Sequence, residues 1–252
     1  MYFMKRSNND FLILLTCCVN PKDMVYTKIN DPKIRIEQYY KAFDYYLFCT
    51  PYKILIVENT LFDIDTKYKQ NERIEYLTFD GNNFDKSLGK GYGEALIIKY
   101  AIENSNYIKE NKNINIIKIT GRLIVLNINK HIQQFNDKYR QNQVLIDTNL
   151  RFDIVYSYFF IANFYFFTKY FLKNKEMIND SLKIYFEHVL LLSVKEYIDQ
   201  GNFYDFFKRP IIIDGVSGST GEKYTDGSQF KLIARHFLKR FLLKFKNNKP
   251  VR

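Results

Sequence analysis

The chemistry this sequence could carry gathers in polar turns that directly follow apolar runs. Phe11 to Cys18 leads into Thr16 to Pro21, and Lys53 to Val57 into Glu58-Asn59-Thr60. Ile74 to Phe79 is followed by Gly89-Lys90-Gly91-Tyr92-Gly93-Glu94, and Ile114 to Ile119 by Thr120-Gly121-Arg122. Glycines let backbone N–H groups approach an anion, and Lys90 adds charge. A helix starting after such a loop adds its positive end, worth about 0.3–1 kcal/mol for a nearby charge. The spacing matches neither the P-loop nor the dinucleotide fingerprint, so a plain flexible loop before a helix fits the same residues. Arg122 offers a planar fork for two phosphate oxygens, and Gly121 lets the chain turn beside a ligand. A surface arginine after a tight turn is the plain alternative.

These turns need elements that bring them to one edge. FLILLTCC (11–18) is a continuous apolar run, as in a strand covered on both faces, KILIV (53–57) reads as a second buried strand and INIIKI (114–119) as a fourth strand. IEYLTF (74–79) alternates, and Val144 to Asp147 is a candidate fifth strand. Ile34 to Phe48 has apolar residues at helical spacing, and Glu94 to Glu103 is expected to be a second helix. Ser181 to Ile198 is expected as a strongly amphipathic helix. Alternation of this kind predicts an α/β fold with a mainly parallel sheet and helices on both faces. Ligands in such sheets bind at the carboxyl ends of the strands. Ile211 to Ile213 reads as a short strand entering Asp214 to Gly221, which has the composition of either a closing loop or a loose hairpin connection.

The formal net charge of +11 favours anionic partners. Eight Lys or Arg and no acid lie from Lys231 onward, and the rest is close to balanced, which argues against a wide nucleic-acid groove. Three cysteines, two of them the adjacent Cys17 and Cys18, make neither a zinc knuckle nor a disulfide framework. With only His131, His188 and His236, no His-rich metal site is expected. Lys5-Arg6 before Phe11 to Val19 resembles a short signal peptide. Asp10, the brevity of the run and Thr16 oppose that, and a buried first strand explains the same residues. Polar residues interrupt the aromatic stretch Ile154 to Leu172, so a buried helix or paired strands is expected there rather than a membrane span. Phe230, Ile233, Phe237, Phe241 and Phe245 share one helical face; Lys231, Arg235, Lys239 and Lys246 share another. Such a helix fits either a membrane-surface element or a helix packed on the domain with its basic face in water. The division expected is 1–229 for the domain and 230–252 for this helix and tail.

In order along the chain, LLTCCVNP, RIEQYYKAFDYYL, ILIVENT, GKGYGEALIIKYAI, IIKITGRLIVLNI, YFEHVL and DGVSGSTG resemble GT-A type, family 2-like glycosyltransferases of bacterial capsular polysaccharide and lipopolysaccharide biosynthesis. The resemblance spans about Phe11 to Tyr224. It implies a single GT-A-like, Rossmann-like domain and a nucleotide-sugar donor. It also implies a growing glycan or lipid-linked acceptor, and a cytoplasmic place at the inner face of the membrane. It sets Thr16, Arg35, Glu58 and Asn59 near the nucleotide, with Lys90, Gly91 and Glu94 beside it. Such enzymes commonly hold a divalent metal with an Asp-x-Asp motif after the fourth strand; Thr120-Gly121-Arg122 stands there instead. Either a metal is held elsewhere, or Arg122 with Lys90 neutralises the departing diphosphate; no metal ligand is assigned. For the base that takes the acceptor proton, Glu187 is the first candidate and Asp153 the second, with His188 as an assistant; an ordinary surface Glu fits position 187 equally. The competing expectation is a non-catalytic polyanion- or membrane-surface-binding module, and a secreted lipoprotein is a third.

Overall fold

The computed structural model describes residues 10–22, 24, 27–137, 143–224 and 229–246. Lys5 and Arg6 lie outside them, as do the side chains of Phe230, Lys231, Phe245 and Lys246. The apolar runs form the sheet: β1 (Phe11–Cys17), β2 (Lys53–Glu58), β3 (Ile74–Thr78) and β4 (Asn115–Thr120). A short β5 (Ile124–Val125) follows, then β6 (Gln143–Ile146), β7 (Phe159–Asn163), β8 (Phe203–Phe206) and β9 (Ile213–Asp214). Seven strands lie in the order β3-β2-β1-β4-β7-β6-β8, while β5 and β9 pair separately. Within the large sheet β7 runs against its neighbours β4 and β6, and the other pairs are parallel. The chain is therefore α/β with a mostly parallel, mixed sheet.

Alternating strand residues feed two cores. Leu12, Leu14, Leu55 and Val57 pack against α3 (Gly89–Asn104) and α8 (Phe186–Asp199). Phe11, Ile13, Leu15 and Ile56 pack on the opposite face against α1 (Pro32–Cys49) and α5 (Ile128–Asp137). Asp31 caps α1 by accepting from the Lys33 amide at 2.8 Å, with Pro32 in the first turn. The helix stops at the extended Thr50, which precedes Pro51. The short helix α2 (Thr66–Lys69) joins the neighbouring strands β2 and β3, and α4 (Asn106–Glu110) follows α3 on the way to β4.

Three expectations are corrected. The GKGYG segment is not a loop: it is the first turn of α3. Gly89 has a φ of +84°, a value that favours glycine. At Gly91 a Cβ would lie 2.9 Å from Phe186 Cβ, so the missing side chain lets α3 and α8 touch. Helix α8 starts at Phe186, not Ser181. Residues 179–184 form a tight turn closed by an Asn179–Ile184 bridge, with Lys183 at φ 59°, and Leu182 is exposed. The stretch 154–172 is neither one helix nor paired strands. It is β7 followed by α6 (Phe164–Phe166), a wide π turn (Phe167–Phe171) and the start of α7 (Leu172–Asn174). Among the described residues no helix is long and apolar enough to cross a membrane.

The C-terminal α9 (Gln229–Lys246) packs on the domain through His236, Lys239, Arg240 and Leu243; of the expected basic face, Lys239 turns inward and Arg235 is exposed. Lys239 pairs with Asp147, Arg240 donates to the Phe206 and Phe207 carbonyls, and Phe237 and Phe241 are exposed.

His131 on α5 is fully buried between Phe159 and Phe207, and neither ring nitrogen has a hydrogen-bond partner. Burial above all, then nearby His236, lowers its pKa from 6.5 to about 3. Below the unfolded value the unfolded chain takes up a proton that the folded chain refuses. Stability is thus fully present above pH 6.5 and falls towards acid by up to about 1.4 kcal/mol per pH unit. Denaturant unfolding at neutral and mildly acidic pH should show that His131→Leu is less acid-sensitive than the native chain by about that slope.

Candidate functional site

Strands β2 and β3 lie to one side of β1, and β4 lies to the other. The carboxyl ends of β1 and β4 therefore flank a topological switch point, where open α/β sheets bind ligands. A cavity of about 390 Å³ opens there. Its wall includes Thr16, Arg35, Asn59, Lys90, Gly91, Glu94, Thr120, Arg122 and Glu187. The register sets Thr16 beside Thr120 and Leu14 beside Lys118, so these side chains share the α3 face.

The floor is a buried ion pair. Lys118 has a fully buried side chain and lies 2.6 Å from Glu94 Oε1. The same oxygen accepts from Thr16 Oγ1 at 2.7 Å and Thr120 Oγ1 at 3.2 Å. Lys118 also donates to the Ser157 carbonyl at 2.5 Å. Burial pushes the Glu94 carboxyl up, but the Lys118 charge and the three hydrogen bonds outweigh it, so the net direction is down. The pair is neutral as a unit.

The rim is cationic. Arg35 donates to the Cys18 carbonyl at 2.7 Å, to the Ile29 carbonyl at 2.9 Å and to Tyr39 Oη at 3.3 Å. Arg122 donates to Gln38 Oε1 at 2.9 Å and to the Val216 carbonyl at 3.4 Å, and its buried Nε has no partner. Both are buried, at 6% and 7% exposure, and neither is within ion-pair distance of a carboxylate among the described residues. Burial acts first to lower the Arg122 pKa, and neighbouring Arg35 acts the same way. Lys90 bonds Ser219, which lines the cavity with Val216, Ser217 and Gly218 of the 214–221 loop. Burial lowers the Lys90 pKa against the pull of Glu187, Glu94 and Asp180.

Glu187 reaches the cavity from the first turn of α8 and accepts from Ser157 Oγ at 2.6 Å. His188 accepts the Tyr185 amide at 3.1 Å as part of the helix cap and does not line the cavity. Asp180, on the tight turn before α8, does line it, and burial raises its pKa. Cys18 is a free cysteine there; burial raises its pKa to about 11, so it stays a thiol rather than a nucleophilic thiolate.

Three proposed site residues do not line this cavity. Glu58 is saturated from within: it accepts the amides of Val19, Thr60 and Phe62 at 2.8–2.9 Å and the hydroxyls of Thr60 and Thr78. It ties together the turns after β1 and β2. Gly121 serves strand contact, since its amide donates to the Thr16 carbonyl at 2.9 Å and a Cβ would meet Cys17 Sγ at 2.6 Å. Asp153 bonds Asn149 and lines a second cavity of about 820 Å³ under α9. That cavity shares Tyr156, Tyr158 and Tyr224 with the first. Lys118, Tyr39 and Asp180 were not singled out from sequence. A lysine inside an otherwise apolar strand was the one available signal. Among the described residues no three His, Cys, Asp or Glu side chains gather as metal ligands.

Lys118→Met leaves the part-buried Glu94 carboxylate at the cavity wall without its cation. Urea unfolding should show a loss of about 1–3 kcal/mol, with a substantial part returned when Glu94→Gln is added.

No family model matches the chain, and no curated protein matches it.

Proposed function

We propose that this protein is a glycosyltransferase that moves a sugar from a nucleotide-sugar donor to a growing surface glycan of the capsule or lipopolysaccharide type. The observation that carries this reading is the pair of buried guanidiniums, Arg35 and Arg122, at the β1/β4 switch point, neither of which meets a carboxylate among the described residues. Burying a charge unpaired costs several kcal/mol, so this rim favours an anion, and a diphosphate offers oxygens for both forks. The first turn of α3 lies in the same wall and adds its positive end. All seven segments that resemble GT-A enzymes contribute to this one cavity, among them Thr16, Arg35, Asn59, Glu94, Arg122, Glu187 and Ser217.

In this reading Arg35, Arg122 and Lys90 hold the diphosphate. As the bond from the sugar carbon to the phosphate oxygen breaks, its electron pair leaves with the diphosphate, and these fixed cations stabilise that charge. Glu187 takes the proton of the acceptor hydroxyl as its oxygen bonds the sugar carbon. The acceptor comes from the second cavity, past Tyr156, Tyr158 and Tyr224. The carboxylates present do not make a metal cage: Glu94 is committed to Lys118, and Glu187 is bonded to Ser157. No step is assigned to a metal.

The competing reading, a non-catalytic binding module, draws on the exposed apolar side of α9. It makes all ligand binding depend on residues 230–252. Here their deletion leaves nucleotide binding in place.

A panel of nucleoside diphosphates and their sugars should raise the melting temperature. Arg122→Ala should weaken diphosphate binding by about 10–100-fold, the scale of a lost charge-assisted contact. Glu187→Gln should bind as the native chain does and fail to transfer. No shift with any nucleotide sinks the reading, and retained turnover in Glu187→Gln moves the base to Asp180.

A further inference from the structure

Helix α9 is anchored to the domain by Lys239 and Arg240, while Arg235 is exposed beside the apolar side. Lys239 bonds Asp147 and, at 2.9 Å, the Thr148 carbonyl; Arg240 bonds the Phe206 and Phe207 carbonyls; His236 and Leu243 are buried. The opposite side is apolar and open. Ile233, Phe237, Leu238, Phe241 and Leu242 are 39–59% exposed. At 3.6 residues per turn, Phe237, Phe241, Ala234, Leu238 and Leu242 cover an arc of about 140°. A surface helix of a globular protein normally turns such an arc to the core. The ammonium and guanidinium anchors fix the reverse orientation, so the arc is not a core face that slipped. A contiguous apolar patch of this kind marks an interaction surface.

Charge selects what covers it. From position 229 to the end the chain has eight Lys or Arg and no Asp or Glu. Two copies joined through this face would bring two such segments together, and like charges there repel. A bilayer with anionic headgroups complements both properties: the arc enters the acyl boundary and the flanking cations meet the headgroups. We propose that α9 lies in the surface of an anionic membrane through Phe237, Leu238, Phe241 and Leu242, with the domain held above it by Lys239 and Arg240. The second cavity, lined by Leu232, Leu238 and Lys239 of the same helix, then sits against the bilayer. This inference stands on the helix alone and does not depend on glycosyl transfer.

The full chain should float with vesicles of equimolar phosphatidylcholine and phosphatidylglycerol, and bind pure phosphatidylcholine vesicles about tenfold more weakly or less. Phe237→Ser with Phe241→Ser should lower vesicle binding by about 30-fold or more. Both positions are exposed, so the melting temperature and the nucleotide-induced shift should be unchanged. Failure here leaves the transferase reading standing, and failure there leaves this one. The proposal is overturned if the native chain does not float, if the double variant floats equally well, or if charge in the vesicle makes no difference. It is also overturned if the native chain is a dimer without lipid that the double variant splits, since the face is then an interface between copies.

Discussion

A lysine in the middle of a central strand needs a counter-charge, because a bare ammonium buried there costs several kcal/mol. Lys118 has its counter-charge on Glu94, one turn into α3, and that pairing organises the site. It locks the start of α3 over β4. Through Thr16 and Thr120, which bond the same carboxylate oxygen, it also locks α3 over β1. The first turn of α3 then has one place to go, beside the strand ends, and it takes Lys90, Gly91 and Gly93 there. Phe186 against Gly91 brings the start of α8, and with it Glu187, to the same wall.

Because Glu94 is spent on Lys118, it does not serve as counter-ion to the arginines. Glu58 is likewise occupied, by three backbone amides and two hydroxyls. With the buried Glu58 and the part-buried Glu94 both committed elsewhere, Arg35 and Arg122 have no carboxylate partner among the described residues. Their contacts are to carbonyl and amide oxygens and a phenol, which orient a guanidinium without cancelling its charge. The arginines lack a carboxylate among the described residues because of how the nearby acids are used, not because acids are missing: Glu94, Asp180 and Glu187 line the same cavity.

The sheet was legible in the sequence because buried strands are rich in apolar residues, and four apolar-rich segments, one of them alternating, stand between turn residues. The strand ends were legible for the same reason, which is why Thr16, Asn59, Thr120 and Arg122 fall around one cavity. What stayed hidden depends on partners distant in sequence. Lys118 looked like an interruption in INIIKI until Glu94 came to meet it. Glu58 and Gly121 sit in the right turns, but their functional groups are consumed by neighbouring backbone and by Cys17. The glycines of GKGYG have poor helix propensity, and local reasoning reads them as a loop. Packing against Phe186 and Phe84, which tolerates no Cβ without adjustment at Gly91, overrides that propensity.

Helix α9 shows the limit most plainly. Its period divides apolar from basic residues correctly, yet a helix with two distinct faces has two ways to lie on a protein. Periodicity is silent between them, because the deciding groups are outside the helix. Asp147 and the carbonyls of Thr148, Phe206 and Phe207 stand at the carboxyl ends of β6 and β8, and they accept from Lys239 and Arg240. Such acceptors at strand ends attract Lys239 and Arg240 of an approaching helix and leave its phenylalanines outside. An apolar face is turned outward at a cost in water, and that cost falls when the face meets a medium without water. The same acceptors that make α9 an awkward helix for an isolated globule are therefore what the proposed docking on a lipid surface rests on.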